Sequence, residues 1–251
     1  MPFKNVVVKR PGRLTDISKS KCSGKLVPAL VFVFALCAQT FAQSVTTTDT
    51  LGRGEIYIEA NFWTATQSHR KGGEQVYGGR FSYGVGKGVE VGVNASSSDP
   101  FDADFPPEIQ PGVKWKFYAD KKRGFTASAG ATAFLPVARL KDTDAFVMIY
   151  ANLSKTIKPL KEARITIGAY RLLARNADFG TREGMNFTYE QPLTPKLSFS
   201  AQWTSGKNRF GYLTPGLSIA LSKTSSLFLG YSIGNYLYDN HGPLVAYGFS
   251  R

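Results

Sequence analysis

Cysteine is nearly missing from this chain, and the two that occur, Cys22 and Cys37, both lie near the N-terminus. If the first 42 residues are removed, the mature protein has no thiol. That excludes a disulfide scaffold and a metal site built on cysteine. Beyond residue 42 no apolar run approaches the ~18 residues that a membrane-spanning helix needs. Long stretches with the 3.6-residue period of an amphipathic helix are missing too, so the mature chain is not a helical membrane protein.

Acidic residues are also scarce, since 18 Asp and Glu face 31 Lys and Arg and give a net charge of +13. Residues 1–42 carry seven basic residues and one acidic residue, which leaves +7 of that charge for the rest of the chain. This remainder is scattered along the sequence. Nucleic-acid-binding proteins usually concentrate their basic residues on one face. We therefore expect no nucleic-acid partner.

The first segment has the features of an export signal. An apolar run of 13 residues, from Leu26 to Ala38, follows the basic Lys25. As a helix it would extend about 20 Å, short of the roughly 30 Å hydrocarbon core of a bilayer. It is therefore interpreted as the apolar part of a signal peptide and not as an anchor. Small residues at 40 and 42 predict cleavage after Ala42. Lipidation at Cys37 is disfavoured because bulky Leu36 precedes it.

The mature chain contains repeated segments of about ten residues in which apolar and polar residues alternate, as in residues 197–204. Successive side chains of a β-strand point to opposite faces, so this alternation predicts strands with one apolar face. The 25 Gly, 18 Phe and 12 Tyr also favour strands and turns over helices. Twelve segments are predicted: 54–64, 74–85, 88–97, 110–119, 124–135, 145–155, 163–173, 182–191, 196–204, 210–222, 225–235 and 243–250.

The connections between these segments indicate how the strands are arranged. Even-numbered connections are mostly short and odd-numbered ones mostly long, and aromatic residues cluster near segment ends. Short periplasmic turns, longer outer loops and aromatic girdles are typical of outer-membrane barrels. A soluble β-sandwich would also show alternation, but its strands run about five to six residues. We therefore predict an all-β, antiparallel transmembrane β-barrel of about twelve strands: 1–42 signal peptide, 43–53 N-terminal periplasmic segment, 54–251 barrel.

Two segments fit this pattern poorly. Residues 145–155 are apolar on both faces. Pro215 interrupts segment 210–222 and predicts a bulge or a shortened strand, because proline cannot donate to a sheet.

The last segment carries a resemblance to a known class. In residues 244–251 the apolar Val245, Tyr247 and Phe249 alternate with smaller residues, and residues 112–117 show a similar pattern. In these features the chain resembles the bacterial outer-membrane β-barrel channels and transporters. The resemblance implies outer-membrane lipid and the barrel assembly machinery as partners, with an unidentified small solute as cargo.

If the apolar faces contact lipid, the opposite faces line the lumen with both signs of charge. Such a wall selects solutes by charge and size. We therefore expect a passive channel or transporter for small solutes. The alternatives are a lipid-modifying barrel enzyme, a closed structural or adhesive barrel whose lumenal side chains pair and plug it, and a secreted sandwich. The predicted lumen-lining residues are Glu55, Glu59, Asn61, Arg80, Glu90, Asn94, Lys114, Lys116, Arg164, Asn186, Glu190 and Gln202.

No catalytic, cofactor or metal site is predicted. The histidines, His69 (beside Ser68) and His241, fall in predicted loops, where a catalytic base would be poorly oriented. The acidic loop 99–108 could offer oxygen ligands to a divalent cation, but it lacks the glycine placement of a calcium loop and is interpreted as a solvated loop. Basic residues of other predicted outer loops could contact lipid phosphates; they are Arg70, Lys71, Lys207 and Arg209.

Overall fold

The computed structural model describes residues 47–65, 75–99, 107–137, 144–160, 162–175, 180–235 and 241–251. The predicted signal peptide and its cleavage site lie outside these ranges. No helix in the described ranges is long and apolar enough to cross a membrane. The strands are β1 (Ile56–Thr64), β2 (Gln75–Gly86), β3 (Val89–Asp99), β4 (Glu108–Asp120), β5 (Phe125–Pro136), β6 (Phe146–Ile157), β7 (Ala163–Leu173), β8 (Glu183–Thr194), β9 (Leu197–Thr204), β10 (Tyr212–Ala220), β11 (Ser225–Gly234) and β12 (His241–Ser250).

The twelve strands form one closed antiparallel barrel. Each strand pairs with the next along the chain, and β12 returns to pair with β1, from Tyr57 opposite Ser250 to Trp63 opposite Leu244. Closure leaves no strand edge unpaired, the condition for a sheet to sit in a bilayer. The predicted twelve-stranded antiparallel barrel is confirmed, and the sandwich is excluded.

Period-2 alternation explains which side of the wall each residue occupies. On β3 the side chains of Val91 and Val93 are 39 % and 38 % exposed, whereas Glu90 between Val89 and Val91 is 3 % exposed. The same alternation on the other strands gives an outer surface rich in Val, Ile, Leu, Phe, Tyr and Trp. Polar side chains of the same strands are buried inside. This inverted arrangement, with the apolar face outward, suits a protein whose surroundings are lipid.

The two ends of the barrel differ in the length of their connections. At one end, here called the turn end, the strands are joined through residues 87–88, 121–124, 158–162, 195–196 and 221–224, and β1 begins and β12 ends there. At the other end, the loop end, the connections are longer and span 65–74, 100–107, 137–145, 174–182, 205–211 and 235–240. The predicted alternation of short and long connections is confirmed, and we expect the turn end to face the periplasm.

The two poorly fitting segments have separate explanations. β6 is apolar on its inner face because Phe146, Met148 and Tyr150 join a buried cluster inside the barrel near the loop end. Pro215 causes no bulge, because β10 keeps one continuous register with β9. The strand is shortened instead, to Tyr212–Ala220.

Glycine on the inner wall makes room for larger neighbours. Gly168 lies directly between Asn152 of β6 and Asn186 of β8. A Cβ atom there would stand 1.9 Å from the Oδ1 of Asn152 and 2.5 Å from that of Asn186. Gly168 therefore lets both amide side chains cross over β7.

We expect Gly168→Ala to lower the free energy of unfolding by about 1–3 kcal/mol, the usual cost of overpacking. The midpoint of unfolding in urea, followed by tryptophan fluorescence, measures the change. Gly79→Ala is the matched control, because its Cβ would meet only the carbonyl oxygen of Glu59, at 3.5 Å. Equal midpoints for the two variants would contradict the packing argument.

Candidate functional site

Eleven of the twelve residues predicted to line the lumen lie on the inner face of the barrel. Their strands alternate between these positions and exposed apolar ones. They come from β1, β2, β3, β4, β7, β8 and β9: Glu59, Asn61, Arg80, Glu90, Asn94, Lys114, Lys116, Arg164, Asn186, Glu190 and Gln202.

The twelfth residue, Glu55, is placed differently. It is exposed at the turn end, one residue before β1 begins. Its carboxylate accepts a hydrogen bond from the backbone N–H of Gly52 at 2.7 Å, and its own N–H donates to the carbonyl of Gly52. The chain therefore turns tightly before β1, and this turn holds Glu55 outside the lumen.

The half of the lumen next to the turn end is filled by paired charges. Arg80 donates to Glu90 at 2.8 Å, and Arg164 donates to both carboxylate oxygens of Glu190, at 2.5 and 2.9 Å. Arg–carboxylate pairs with two parallel hydrogen bonds are strong and fix the geometry of both side chains. Because burying a charge is costly unless it is paired, these contacts hold the wall in one arrangement.

A short segment of backbone, Thr47–Gly52, enters the lumen from the turn end; we call it the lumenal segment. The side chain of Asp49 accepts a hydrogen bond from Arg164. Lys114 donates to the carbonyl of Asp49 at 2.8 Å, and the backbone N–H of Leu51 donates to Glu90 at 3.1 Å. Part of the interval 43–53, expected to be a periplasmic segment, is thus buried inside the barrel.

Further contacts hold the beginning of this segment. The hydroxyl of Thr48 lies 2.7 Å from that of Ser154, which in turn lies 2.7 Å from that of Thr166. Asn152 donates to the carbonyl of Thr47 at 3.4 Å. The side chain of Thr48 is fully buried. The lumenal segment is therefore bound by several strands, and it narrows the turn end of the lumen.

The surroundings of Asp49 favour the ionised form of its carboxyl group. Burial alone would raise the pKa of its carboxyl group. The charge and hydrogen bond of Arg164, helped by Lys116 and Lys114, outweigh burial and hold the pKa below its usual value. Asp49 is consequently ionised at neutral pH and forms a true ion pair with Arg164.

A second glycine allows the lumenal segment to enter. Gly84, near the end of β2, lies so close to it that a Cβ atom would stand 1.8 Å from the carbonyl oxygen of Gly52. Gly84 also exchanges backbone hydrogen bonds with the turn before β1, accepting from Gly54 and donating to Glu55. No side chain fits at position 84 while the segment is in place.

The middle of the lumen contains a cavity of about 170 Å³, here called the chamber. At about 10–15 Å³ for each water-sized site, it holds on the order of ten water molecules. A smaller cavity adjoins it on the turn side, and both are lined by Arg80, Asn94 and Gln110. The wall of the chamber combines amides, hydroxyls and both signs of charge with aromatic rings, among them Trp63 and Tyr212.

The loop end of the chamber is narrowed by an aromatic cluster around one arginine. Phe134 and Phe146 stack with ring centroids 4.5 Å apart, and Phe210 packs against both. The guanidinium of Arg209 lies 5.0–5.1 Å from all three ring centroids. The same group donates to both oxygens of Glu108, at 2.8 and 3.0 Å.

This cluster corrects two expectations. The sequence leaves Arg209 free to contact lipid phosphates from an outer loop, but its connection folds inward and the side chain is bound within the barrel. Glu108 was expected in a solvated acidic loop, but it is the first residue of β4 and is 4 % exposed. Residues 100–106 of that loop lie outside the described residues.

The histidines are placed as follows. His241 is the first residue of β12 instead of a loop residue, and its ring lies 6.2 Å from that of Tyr231. Ser68 and His69 fall outside the described residues. In the part of the chain that the structure describes, no group of three or more His, Cys, Asp or Glu residues could hold a metal ion.

Sequence reasoning missed the residues that narrow the lumen. Asp49 precedes the first predicted strand, and no local sequence pattern predicts that the segment around it folds back into the barrel. For the aromatic cluster a signal existed: Phe146 belongs to the segment that is apolar on both faces, which indicates burial on the inside as well.

Two solved structures that superimpose on this chain with TM-scores of 0.50 or more agree with its fold. The NanC porin superimposes with a TM-score of 0.54 and 11 % identity, over 77 % of this chain and 97 % of that one. The COG4313 outer membrane channel from Pseudomonas putida F1 gives 0.50 and 11 %, over 81 % and 98 %. Outer membrane phospholipase A from Escherichia coli gives 0.46 and 12 %, over 78 % and 92 %. No protein-family model matches the sequence, and no curated protein matches it either.

At these identities the likeness concerns the fold. The closed twelve-stranded barrel, its apolar outer face and its polar lumen define the chain as a β-barrel of the bacterial outer-membrane class.

Proposed function

We propose that this protein is a narrow passive channel for small hydrophilic solutes across the outer membrane. The observation that carries the proposal is the chamber of about 170 Å³, whose wall carries amide, hydroxyl and charged groups beside apolar and aromatic ones and which lies inside a closed barrel. A lumen with fixed charges of both signs admits solutes by diffusion and selects them by charge and size. No chemical step is needed.

The two narrow points set the size limit. The lumenal segment fills the turn end, and the Arg209 cluster narrows the loop end. A solute larger than a few water molecules can pass the turn end only when the lumenal segment moves. The lumenal segment has no strand pairing of its own among the described residues, so it can leave without opening the barrel.

Planar-bilayer recording of the purified mature protein tests the proposal, with discrete current steps as the expected result. Asn94→Trp places a large ring in the chamber, since Asn94 lines it, and we expect the step size to fall at least about twofold because a narrower pore conducts less. Val93→Trp is the matched control, because Val93 is the neighbouring residue on the lipid face.

Two results would refute the channel. The first is a complete lack of current steps from correctly folded protein at any voltage. The second is an equal reduction of step size by the two tryptophan variants, since only the one at position 94 reaches the lumen.

A further inference from the structure

The barrel wall around the lumenal segment carries side chains that bind a carboxylate and the carbonyl and hydroxyl groups near it. Arg164 binds the carboxylate of Asp49. Lys114 and Asn152 donate to carbonyl oxygens, and Ser154 contacts a hydroxyl. These four side chains belong to β4, β6 and β7. They therefore belong to the barrel wall and not to the segment.

Counted as formal charges, the turn half is balanced while Asp49 is bound. Four acidic side chains then accompany four basic ones: Asp49, Glu59, Glu90 and Glu190 against Arg80, Lys114, Lys116 and Arg164. When the segment leaves, the wall has four cations and three anions. Arg164 then keeps Glu190 but loses its second carboxylate partner. A confined site with excess positive charge attracts anions.

We infer that Arg164 and Lys114, with Asn152, form a binding site in the lumen for small hydrophilic carboxylates, and that Asp49 of the chain's own lumenal segment competes for it. Solutes of this class carry one carboxylate next to hydroxyl or carbonyl groups, as sugar acids do. The segment occupies the site with the same functional groups that such a solute would present. The inference rests on the proposed channel only for the route by which the solute arrives.

Because the lumenal segment is attached to β1, Asp49 has an advantage over a free carboxylate in the competition for the site. A segment attached by a short linker acts at an effective concentration on the order of millimolar. A carboxylate below that concentration leaves the segment bound, whereas a higher concentration displaces it. The channel would thus open to the solutes that it carries.

The test compares three probes of similar size and different charge: gluconate, glucose and glucosamine. Each is titrated against the mature protein in planar bilayers, where binding is measured as block of the current. Asp49→Asn removes the competing charge and leaves the wall intact. Asp120→Asn is the matched control, since Asp120 lies at the turn end, where it accepts hydrogen bonds from backbone N–H groups of its own turn.

We expect Asp49→Asn to bind gluconate about tenfold more tightly than the wild type, the scale of one charge-assisted hydrogen bond. Binding of glucose and glucosamine should not change, and Asp120→Asn should match the wild type. The double variant Arg164→Gln with Glu190→Gln is made in the Asp49→Asn background, so that the three charges of this ion-pair network are removed together and none of them is left alone. It should lose the preference for gluconate over glucose.

Two outcomes would overturn the inference. One is equal block by gluconate and glucosamine in Asp49→Asn, and the other is unchanged gluconate block in the double variant. Current steps would persist in both cases, so the channel itself would stand. If no variant conducts, the proposed channel is refuted. The binding site can then still be tested by calorimetric titration of gluconate into folded protein in detergent. Tighter binding to Asp49→Asn than to the wild type supports the carboxylate site, and equal or absent binding refutes it.

Discussion

Gly84→Ala is expected to expel the lumenal segment from the barrel. The added methyl group would stand 1.8 Å from the carbonyl oxygen of Gly52 and 2.9 Å from that of Leu51, and both are backbone atoms that cannot rotate away. Overpacking of this kind costs about 1–3 kcal/mol, which shifts the bound-to-free ratio of the segment roughly five- to 150-fold. The barrel wall is expected to stay closed, because the hydrogen bonds of β2 use backbone atoms only.

A single engineered thiol measures this shift. The predicted mature chain contains no cysteine, so Thr48→Cys introduces one reporter at a position that is fully buried in the lumen. We expect a charged thiol reagent to label it slowly in the wild-type background and at least about fivefold faster with Gly84→Ala.

Gly79→Ala in the same reporter background is the control, because a Cβ atom there would meet only the carbonyl oxygen of Glu59, at 3.5 Å, and no atom of the lumenal segment. Similar labelling rates with Gly79→Ala and Gly84→Ala would show that Gly84 has no special part in holding the segment. The single-channel current of Gly84→Ala should rise as well, since the turn end is then wider.

Arg209→Ala is expected to produce the largest loss of stability. The substitution leaves Glu108 buried without the two hydrogen bonds that Arg209 donates. It also removes the cation held against three phenylalanine rings. Breaking a buried ion pair from one side typically costs about 3–5 kcal/mol, and we expect a decrease of that size in the free energy of unfolding in urea.

Two further variants separate charge from packing. Lys207→Ala removes a positive charge from the same connection, but its side chain is exposed, so its unfolding midpoint should match the wild type. Arg209→Met with Glu108→Gln removes both charges and restores most of the lost stability, because no buried charge is left alone. An Arg209→Ala midpoint equal to that of Lys207→Ala would contradict the buried pair.

The barrel wall could be predicted from the sequence because each strand carries its own pattern. Alternation such as that of Val89, Val91 and Val93 depends on local chain geometry alone, and even the short and long connections follow from segment spacing. All twelve predicted segments correspond to observed strands. The inward side chains of those segments follow from the same alternation.

The obstructions inside the lumen could not be predicted in the same way. Asp49 meets Arg164, 115 residues further along the chain, and Arg209 meets Glu108 across 101 residues. Such contacts depend on the width of the closed barrel and on which connections fold inward. The periodicity of the sequence predicts neither of these two properties. The sequence therefore indicates neither that Arg209 turns inward from its loop nor that part of residues 43–53, predicted as a periplasmic segment, enters the lumen.

The seam between β1 and β12 has a consequence for biogenesis. Eleven of the twelve pairings join strands that are neighbours in sequence, whereas the seam joins the two ends of the described barrel, with Ile56 and Arg251 exchanging backbone hydrogen bonds. Until that last pairing forms, the chain is an open ribbon with two bare edges, and bare edges recruit other strands. Because the lumenal segment is continuous with β1, it lies at the seam when the ribbon curls. The segment therefore stands beside the two closing edges, and a ribbon that closes before the segment has entered encloses an emptier lumen.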